Sequence, residues 1–514
     1  MIENRSATKR ITLTLIISFL AMFVNYVISF TLTPFITTYV GTDAYGFVTL
    51  AKTISNYGII ITGCLNAFAS RYITIAYHRG DLKKANNYFS SVVIANIGMF
   101  FAVLLFEVFF IWKLQIFMKI PNELMSEVKI LFALDITNYM LLAISNTFVA
   151  SAYIKNRLDK IEAIKLVAYI VEAGVLVILF RFLPAKIYYV GMGLITSTFV
   201  LGICNYVLCK RNTPELQVSY KFFSWSAVKD LVVTGIINSI NSIGNLLNSG
   251  LDLWVSNLML SAVAMGELSI VKTVSTILST LEQLVSRPFQ PYLLKRYSDK
   301  DIDGLVWVFN IEIKFSGYVS SMIFAGLLCF GTVYYKLWTP TQNIRLLYGI
   351  TVVTAIGFIF EGIVQPLFYT YTLTLKNKMP CYVTIISGIL NVAGMYLLLK
   401  YTNLKLYAVV GTTTVLGFST FIIFTPIYTS RCLGIKWCSF YRSIIRVFVA
   451  AGSISAVIYL IFKNHMPSSW IELIIDIIVS GIIGLPIFII CTLNKEDIKI
   501  IKSRILNHEK RRGK

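Results

Sequence analysis

Charged residues are scarce in this chain. Only 14% of its 514 residues are charged, whereas 56% are hydrophobic and the mean hydropathy is +0.73. Soluble domains are about 25% charged, so the composition excludes a wholly water-facing protein. Acidic residues are the scarcer kind, with 25 Asp and Glu against 46 Lys and Arg, a net charge of +21. The basic residues lie between apolar runs, which favours a membrane protein and argues against nucleic acid as a partner.

Residues for metal binding and covalent catalysis are also few. The eight cysteines form no Cys-x-x-Cys pair, and the three histidines are scattered along the chain. This pattern predicts buried free thiols and no metal site. The sequence shows no Walker loop, no Gly-x-Ser-x-Gly motif and no acidic cluster on a soluble domain. We therefore expect a non-enzyme without a cofactor.

Long apolar runs fill most of the chain. A helix needs about 20 apolar residues to cross the hydrocarbon layer, and the sequence holds fourteen such runs. The fold class predicted is an all-α polytopic membrane protein with about 14 transmembrane helices. The predicted spans are 11–33, 46–70, 89–111, 130–153, 161–183, 187–209, 231–257, 262–286, 305–330, 346–371, 381–399, 407–429, 444–462 and 470–492.

The basic residues indicate the orientation of these spans. With fourteen spans, alternate connections hold 33 basic residues on one side and 10 on the other. Basic loops stay in the cytoplasm, so both termini are predicted to be cytoplasmic. The remaining three basic residues, Lys52, Lys272 and Lys314, lie within spans.

The sequence repeats itself after 220 residues. Residues 46–55, GFVTLAKTIS, align without gaps with residues 266–275, GELSIVKTVS. Spans one and two therefore correspond to spans seven and eight in the same orientation, which predicts parallel six-helix lobes. The predicted organisation is an N-lobe at 1–210 (spans 1–6), a C-lobe at 211–430 (spans 7–12), an extra helix pair at 431–492 and a basic cytoplasmic tail at 493–514.

Polar residues follow one face of the repeated spans, at steps of three and four. A few hydroxyl groups would be explained by hydrogen bonds between helices. An amide without partners in hydrocarbon costs several kcal/mol, so a row of asparagines favours a water-filled cavity instead. The predicted cavity-lining residues are Asn25, Ser55, Asn56, Asn238, Asn241, Asn245, Asn248, Ser275 and Ser279.

Two lysines occupy matching places in the repeat. An intramembrane lysine costs roughly 2.5–3.5 kcal/mol on insertion scales and normally faces a cavity or a partner. Lys52 and Lys272 are each followed by Thr-x-Ser, so we predict that they bind a diphosphate in the cavity. The alternative is that they reach the outer interface or pair with Asp252 or Glu267. Asp252 itself is a candidate for a coupling cation, Na⁺ or H⁺, or for balancing Lys272.

Basic residues also follow spans two and eight. Arg71 and Arg79 lie in the first of these segments and Arg287 in the second. They are predicted to form a cytoplasmic mouth near anionic lipid headgroups, although such residues also serve simply to fix the topology.

The twelve-plus-two spans, the repeat of six and the segment Arg71…Gly80-Asp81-Leu82 resemble the polysaccharide flippase family of the multidrug/oligosaccharidyl-lipid/polysaccharide exporter superfamily. The resemblance implies a transporter in the bacterial inner membrane that moves an undecaprenyl-diphosphate-linked oligosaccharide outward by alternating access. It further implies cationic side chains in the cavity, where Lys52 and Lys272 match the pattern and span one offers Asn25 and no cation. Spans thirteen and fourteen would border a groove for the polyprenyl tail.

The resemblance leaves the glycan open between O-antigen, capsule and other cell-surface repeat units. Besides the lipid-linked glycan, the expected partners are membrane lipids and the polysaccharide polymerase machinery. A flippase for lipid II or a teichoic-acid precursor is the nearest alternative, followed by a cation-coupled multidrug exporter. A membrane glycan polymerase or ligase is the alternative of another class, but it is expected to have a sizeable outer loop, which this chain lacks.

Overall fold

The computed structural model describes the backbone of residues 2–492, and the side chains of these residues apart from 2–11, Ile59, Ile61, Asn238, Leu284 and Arg287. The predicted tail at 493–514 lies outside the described residues. Residues 2–492 form helices and no strand. The helices are α1 (Ile2–Tyr39), α2 (Thr42–Asn56), α3 (Gly58–Asn66), α4 (Ala69–His78), α5 (Leu82–Trp112), α6 (Leu114–Phe117), α7 (Met125–Phe148), α8 (Ala150–Ile154), α9 (Leu158–Phe182), α10 (Tyr188–Asn212), α11 (Trp225–Asn245), α12 (Asp252–Met259), α13 (Ala262–Ser286), α14 (Gln290–Ser298), α15 (Ile302–Trp338), α16 (Ile344–Val364), α17 (Tyr369–Thr374), α18 (Lys378–Tyr401), α19 (Leu406–Phe418), α20 (Thr425–Leu433), α21 (Tyr441–Phe462) and α22 (Trp470–Thr492).

Within this described part, twelve helices are long and apolar enough to cross a membrane. The prediction of an all-α, multi-pass membrane protein is confirmed. The count of fourteen and the cytoplasmic termini stay predictions. The two predicted spans outside the twelve are 46–70 and 231–257, and the helices of both are interrupted. The first is broken at Tyr57, and the second contains a π-helix at Leu246–Gly250.

The 220-residue repeat extends to the fifth predicted span, further than the alignment of short segments showed. Helix boundaries recur with this separation in both halves of the chain. α1 and α12 end at Tyr39 and Met259, α2 and α13 begin at Thr42 and Ala262, α5 and α15 begin at Leu82 and Ile302, and α9 and α18 begin at Leu158 and Lys378.

The repeated helices α5 and α15 also begin in the same way. Asp81 and Asp301 are their N-cap residues, and each accepts a backbone N–H three residues later, at 2.9 and 2.8 Å. Such a bond satisfies one of the amide groups left without a partner at a helix start. The Gly304 N–H and the Arg296 guanidinium hold the pKa of Asp301 below its usual range. The third predicted span of each repeat thus begins with the same N-cap hydrogen bond.

By its packing, the chain divides into two compact units. Unit one comprises the residues up to Thr273 together with Cys381–Val409. Unit two comprises Val274–Pro380 and the described residues from Val410 onward. Within unit one, α11 and α12 pack against α3 and α2. The lobe limits at 210 and 430 stay predictions.

The last two helices, α21 and α22, belong to unit two and pack against α15. Ser443 of α21 donates to Asn310 at 2.6 Å, and Tyr318 donates to the carbonyl oxygen of Gly481 in α22 at 3.0 Å. These bonds and the apolar core around Val447 and Ile454 attach the predicted extra pair to a helix of the second repeat.

Within unit one, α2 and α13 cross at the two glycines that the repeat aligns. A Cβ built on Gly46 would lie 2.9 Å from the Cα of Gly266, and one built on Gly266 would overlap the carbonyl of Thr42. Only glycine permits this backbone approach, which is a common way for membrane helices to pack. Tyr45 and Thr273 share a hydrogen bond of 2.6 Å beside the crossing.

Replacing Gly266 by alanine should therefore weaken the crossing. We expect Gly266→Ala to lower the free energy of unfolding by about 1–3 kcal/mol, because overpacking forces the helices apart. Gly98→Ala is the matched control, since its Cβ meets nothing within 4 Å. The measurement is the apparent melting temperature of the full chain in detergent. Equal melting temperatures for the two variants would contradict the close packing of these helices.

Candidate functional site in the broken seventh span

The predicted seventh span is interrupted by the π-helix at Leu246–Gly250, between α11 and α12. A π-helix widens the turn and takes carbonyl groups out of the regular α-helical ladder. In an apolar layer such groups need other donors. Side chains of three other segments supply them to three consecutive carbonyls, those of Asn248, Ser249 and Gly250.

Asn248 is the first of these residues, and it joins the broken span to α18. Its carbonyl accepts from Asn391 at 2.7 Å. Its side-chain amide donates to the Thr384 carbonyl at 2.7 Å and accepts from Ser387 at 2.9 Å. The prediction placed Asn248 on a cavity wall, and the structure shows its amide engaged in bonds between helices.

Lys272 supplies the second donor. Its ammonium group, on α13, donates to the Ser249 carbonyl and forms an ion pair with Asp252 at 2.9 Å. The Asp252 side chain is 8% exposed and that of Lys272 is 23% exposed. The pair therefore lies at the start of α12, directly after the break, and the role of Asp252 stays a prediction.

Tyr57 supplies the third donor and joins the two interrupted spans at their breaks. It lies between α2 and α3, and its hydroxyl donates to the Gly250 carbonyl at 2.5 Å. The Gly250 Cα also faces this ring, since a Cβ there would lie 3.1 Å from it. The breaks in spans two and seven are thus in direct contact within unit one.

Lys52 matches Lys272 in the repeat but has other counter-charges. It is half-buried on α2, and its charge acts on Asp135 of α7 and Glu172 of α9. Both carboxylates are 2% exposed, and three of their four oxygens have no hydrogen-bond partner among the described residues. The position that matches Asp252 is Leu32, so the first repeat carries an apolar residue where the second carries the acid.

The remaining predicted site residues differ in exposure. Those exposed are Asn56, Asn241, Asn245, Arg71 and Arg79; Asn25, Ser275 and Ser279 are half-buried, and Ser55 is buried. The side chains of Asn238 and Arg287 lie outside the described part. Asn241, Asn245 and the exposed Ser249 follow one another at steps of four, so they share one face of the broken span.

A family model described as "Polysaccharide biosynthesis protein" matches residues 14–295, more than half of the chain. The chain belongs to the polysaccharide biosynthesis protein family. An uncharacterized membrane protein of Bacillus subtilis (strain 168), EpsK, is 27% identical over 439 residues, which cover 84% of this chain and 85% of EpsK.

Two solved structures share the fold of this polysaccharide biosynthesis protein. An inward-facing multidrug resistance MATE family transporter of the MOP superfamily has a TM-score of 0.64 at 13% identity, covering 83% of this chain and 98% of its own. The lipid II flippase MurJ, in an inward closed conformation, has a TM-score of 0.63 at 14% identity, covering 90% and 98%. These likenesses show that the family member shares the all-α fold of these two proteins.

Sequence reasoning missed two groups in this family member. The first group is Asp135 and Glu172, which are not among the predicted site residues. The presence of Lys52 within a span could have indicated them, because a cation inside the membrane is usually paired with a nearby acid. The second group is an amide pair between α3 and α5, in which Asn66 and Asn96 exchange hydrogen bonds of 2.9 and 3.0 Å.

The ion pair of Lys272 and Asp252 should stabilise the family member measurably. Removing one partner leaves the other charge poorly compensated, so we expect Lys272→Met to lower the free energy of unfolding by about 1–3 kcal/mol. Lys272→Met combined with Asp252→Asn should recover most of that loss, because no charge is then left alone. The measurement is a double-mutant cycle of detergent denaturation. Strictly additive losses would contradict the pairing.

Proposed function

We propose that this protein is a flippase for a polyprenyl-diphosphate-linked glycan. The observation that carries the proposal is the broken seventh span, where a cation and a row of amides lie inside an otherwise apolar protein. Interrupted helices are a recurring feature of transporter binding sites, because their free backbone groups and polar side chains face a cavity. Family membership supports a role in polysaccharide biosynthesis.

The exposed amides support a watery surface beside the break. Asn56, Asn241 and Asn245 are exposed within predicted spans. Facing lipid, such groups would cost several kcal/mol each, whereas facing water they cost nothing. A glycan of hydroxyl groups is compatible with the same surface, since amides both donate and accept hydrogen bonds.

The charge of Lys272 supports an anionic substrate. A diphosphate competes with the Asp252 carboxylate for the same ammonium group, which moderates its affinity. Moving about two negative charges out of an inside-negative cell is favourable by ~2.3 kcal/mol per charge per 100 mV. The membrane potential therefore favours export in this proposal.

Neutralising both lysines should abolish flipping. The test uses Lys52→Met, Lys272→Met and Asp252→Asn together, so that Asp252 is not left without its cation. Purified protein is placed in liposomes that contain a fluorescent polyprenyl-diphosphate glycan, and a membrane-impermeant quencher measures how much lipid reaches the other leaflet. We expect the triple variant to lose flipping by a factor of ten or more, about 1.4 kcal/mol or greater.

The matched control is Lys463→Met, a lysine exposed at the end of α21. It should flip lipid as the unaltered protein does. The proposal fails if the unaltered protein moves no diphosphate-linked glycan. The anion site fails if the triple variant moves lipid at the control rate. Repeating the assay with lipids that carry O-antigen, capsule, teichoic-acid or peptidoglycan precursors then shows which glycan the protein moves.

A further inference from the structure

A polar cavity of about 250 Å³ is lined only by residues of unit two, whereas the broken seventh span belongs to unit one. It is bounded by the end of α13, by α15, and by the segment in which Pro366 interrupts the helix between α16 and α17. Three glutamines line it: Gln283, Gln290 and Gln365. Gln283 and Thr372 are exposed, so they mark its mouth.

Glu312 of α15 provides the acidic group of the cavity. It is 1% exposed, and its Oε2 has no hydrogen-bond partner among the described residues. An ionised carboxylate only accepts hydrogen bonds, and leaving it without donors in a buried place is costly. On the cavity wall the Ser286 hydroxyl, which is also without a partner among the described residues, is a donor for this carboxylate, and an occupant of the cavity can bring further donors to Glu312.

The first repeat serves as an internal comparison, because it carries only part of this polar set: Asn66, Ser70 and Ser145 match Ser286, Gln290 and Gln365. Subtracting 220 places Val92 opposite Glu312, Gly63 opposite Gln283 and Ala152 opposite Thr372. Val92 and Ala152 are fully buried within apolar clusters. The fold thus needs no carboxylate at the position of Glu312, which distinguishes the second repeat from the first.

The wall of the cavity also includes Phe368 and Tyr369. An aromatic face covers the C–H face of a sugar ring, while carboxylate and amide groups bind its hydroxyls. We propose that this cavity binds one sugar ring of the glycan, an inference that rests on the proposed flippase function. The ring's hydroxyl groups donate to Glu312, and the three glutamines serve as both donors and acceptors.

The size of the cavity fits this occupant. Pockets for drug-sized ligands measure about 300–1,000 Å³, so 250 Å³ suits a single ring better than an oligosaccharide. At about 30 Å³ per water the space equals roughly eight waters, more than a single ion held by protein oxygens occupies.

The test measures sugar binding directly and does not depend on flipping. The full chain in lipid nanodiscs is mixed with glucose, galactose or N-acetylglucosamine at tens of millimolar, and saturation-transfer NMR detects protein-bound sugar. We expect at least one sugar to bind the unaltered protein. Glu312→Val, which introduces the residue of the first repeat, and Glu312→Gln should lower its affinity about tenfold or more.

Thr372→Ala serves as a second variant at the exposed mouth, where folding is not at risk, and should weaken the same sugar severalfold. Glu123→Gln, at an exposed loop residue, should bind as the unaltered protein does. The sugar site is wrong if no sugar binds, or if all four variants bind alike. It is also wrong if the binding of Na⁺ depends on Glu312 and the binding of every sugar does not. The liposome assay measures flipping independently, so the failure of the sugar site and the failure of the flippase function can be distinguished.

Discussion

Backbone carbonyls that leave a helix within an apolar layer must find new donors, and this requirement governs the centre of unit one. The carbonyls of Asn248, Ser249 and Gly250 lie in the π-helix that interrupts the seventh span. Asn391, Lys272 and Tyr57 donate to them, so that α18, α13 and the break after α2 converge on one short segment. A lysine is tolerated there because it satisfies a backbone group and a carboxylate at the same time.

The repeat explains why similar helices carry different chemistry. Lys52 and Lys272 hold matching positions, yet Lys272 has an acid on the preceding helix, whereas Lys52 acts on Asp135 and Glu172 of more distant helices. Likewise Glu312 lines a cavity where Val92 fills a core. The two repeats share the same arrangement of helices, and a single difference at one position gives a carboxylate in one repeat and an apolar core residue in the other. Differences between the repeats therefore point to function more directly than their similarities.

Much of the fold was predictable because long apolar runs and basic loops are strong signals. The spans at 262–286 and 470–492 coincide with α13 and α22. The repeat was visible in the sequence because glycine, lysine and hydroxyl residues recur at matching positions. The breaks at Tyr57 and at Leu246–Gly250 were not predicted, since neither contains proline, and their stability depends on donors from distant segments. The asparagines of the seventh span differ in the same way: Asn241 and Asn245 are exposed, whereas Asn248 forms a hydrogen bond with α18. This difference arises from packing and not from residue type, so the sequence alone did not show it.

The central claim is that Asp252 and the substrate compete for Lys272. Equilibrium binding of a polyprenyl diphosphate to the unaltered protein and to Asp252→Asn tests it most directly, with the uncharged polyprenol as control. If the claim holds, Asp252→Asn binds the diphosphate severalfold more tightly, because the competing carboxylate is gone, and binds the polyprenol unchanged. Equal or weaker binding of the diphosphate by Asp252→Asn would contradict it. Lys272 would then have only a structural role, in stabilising the interrupted helix.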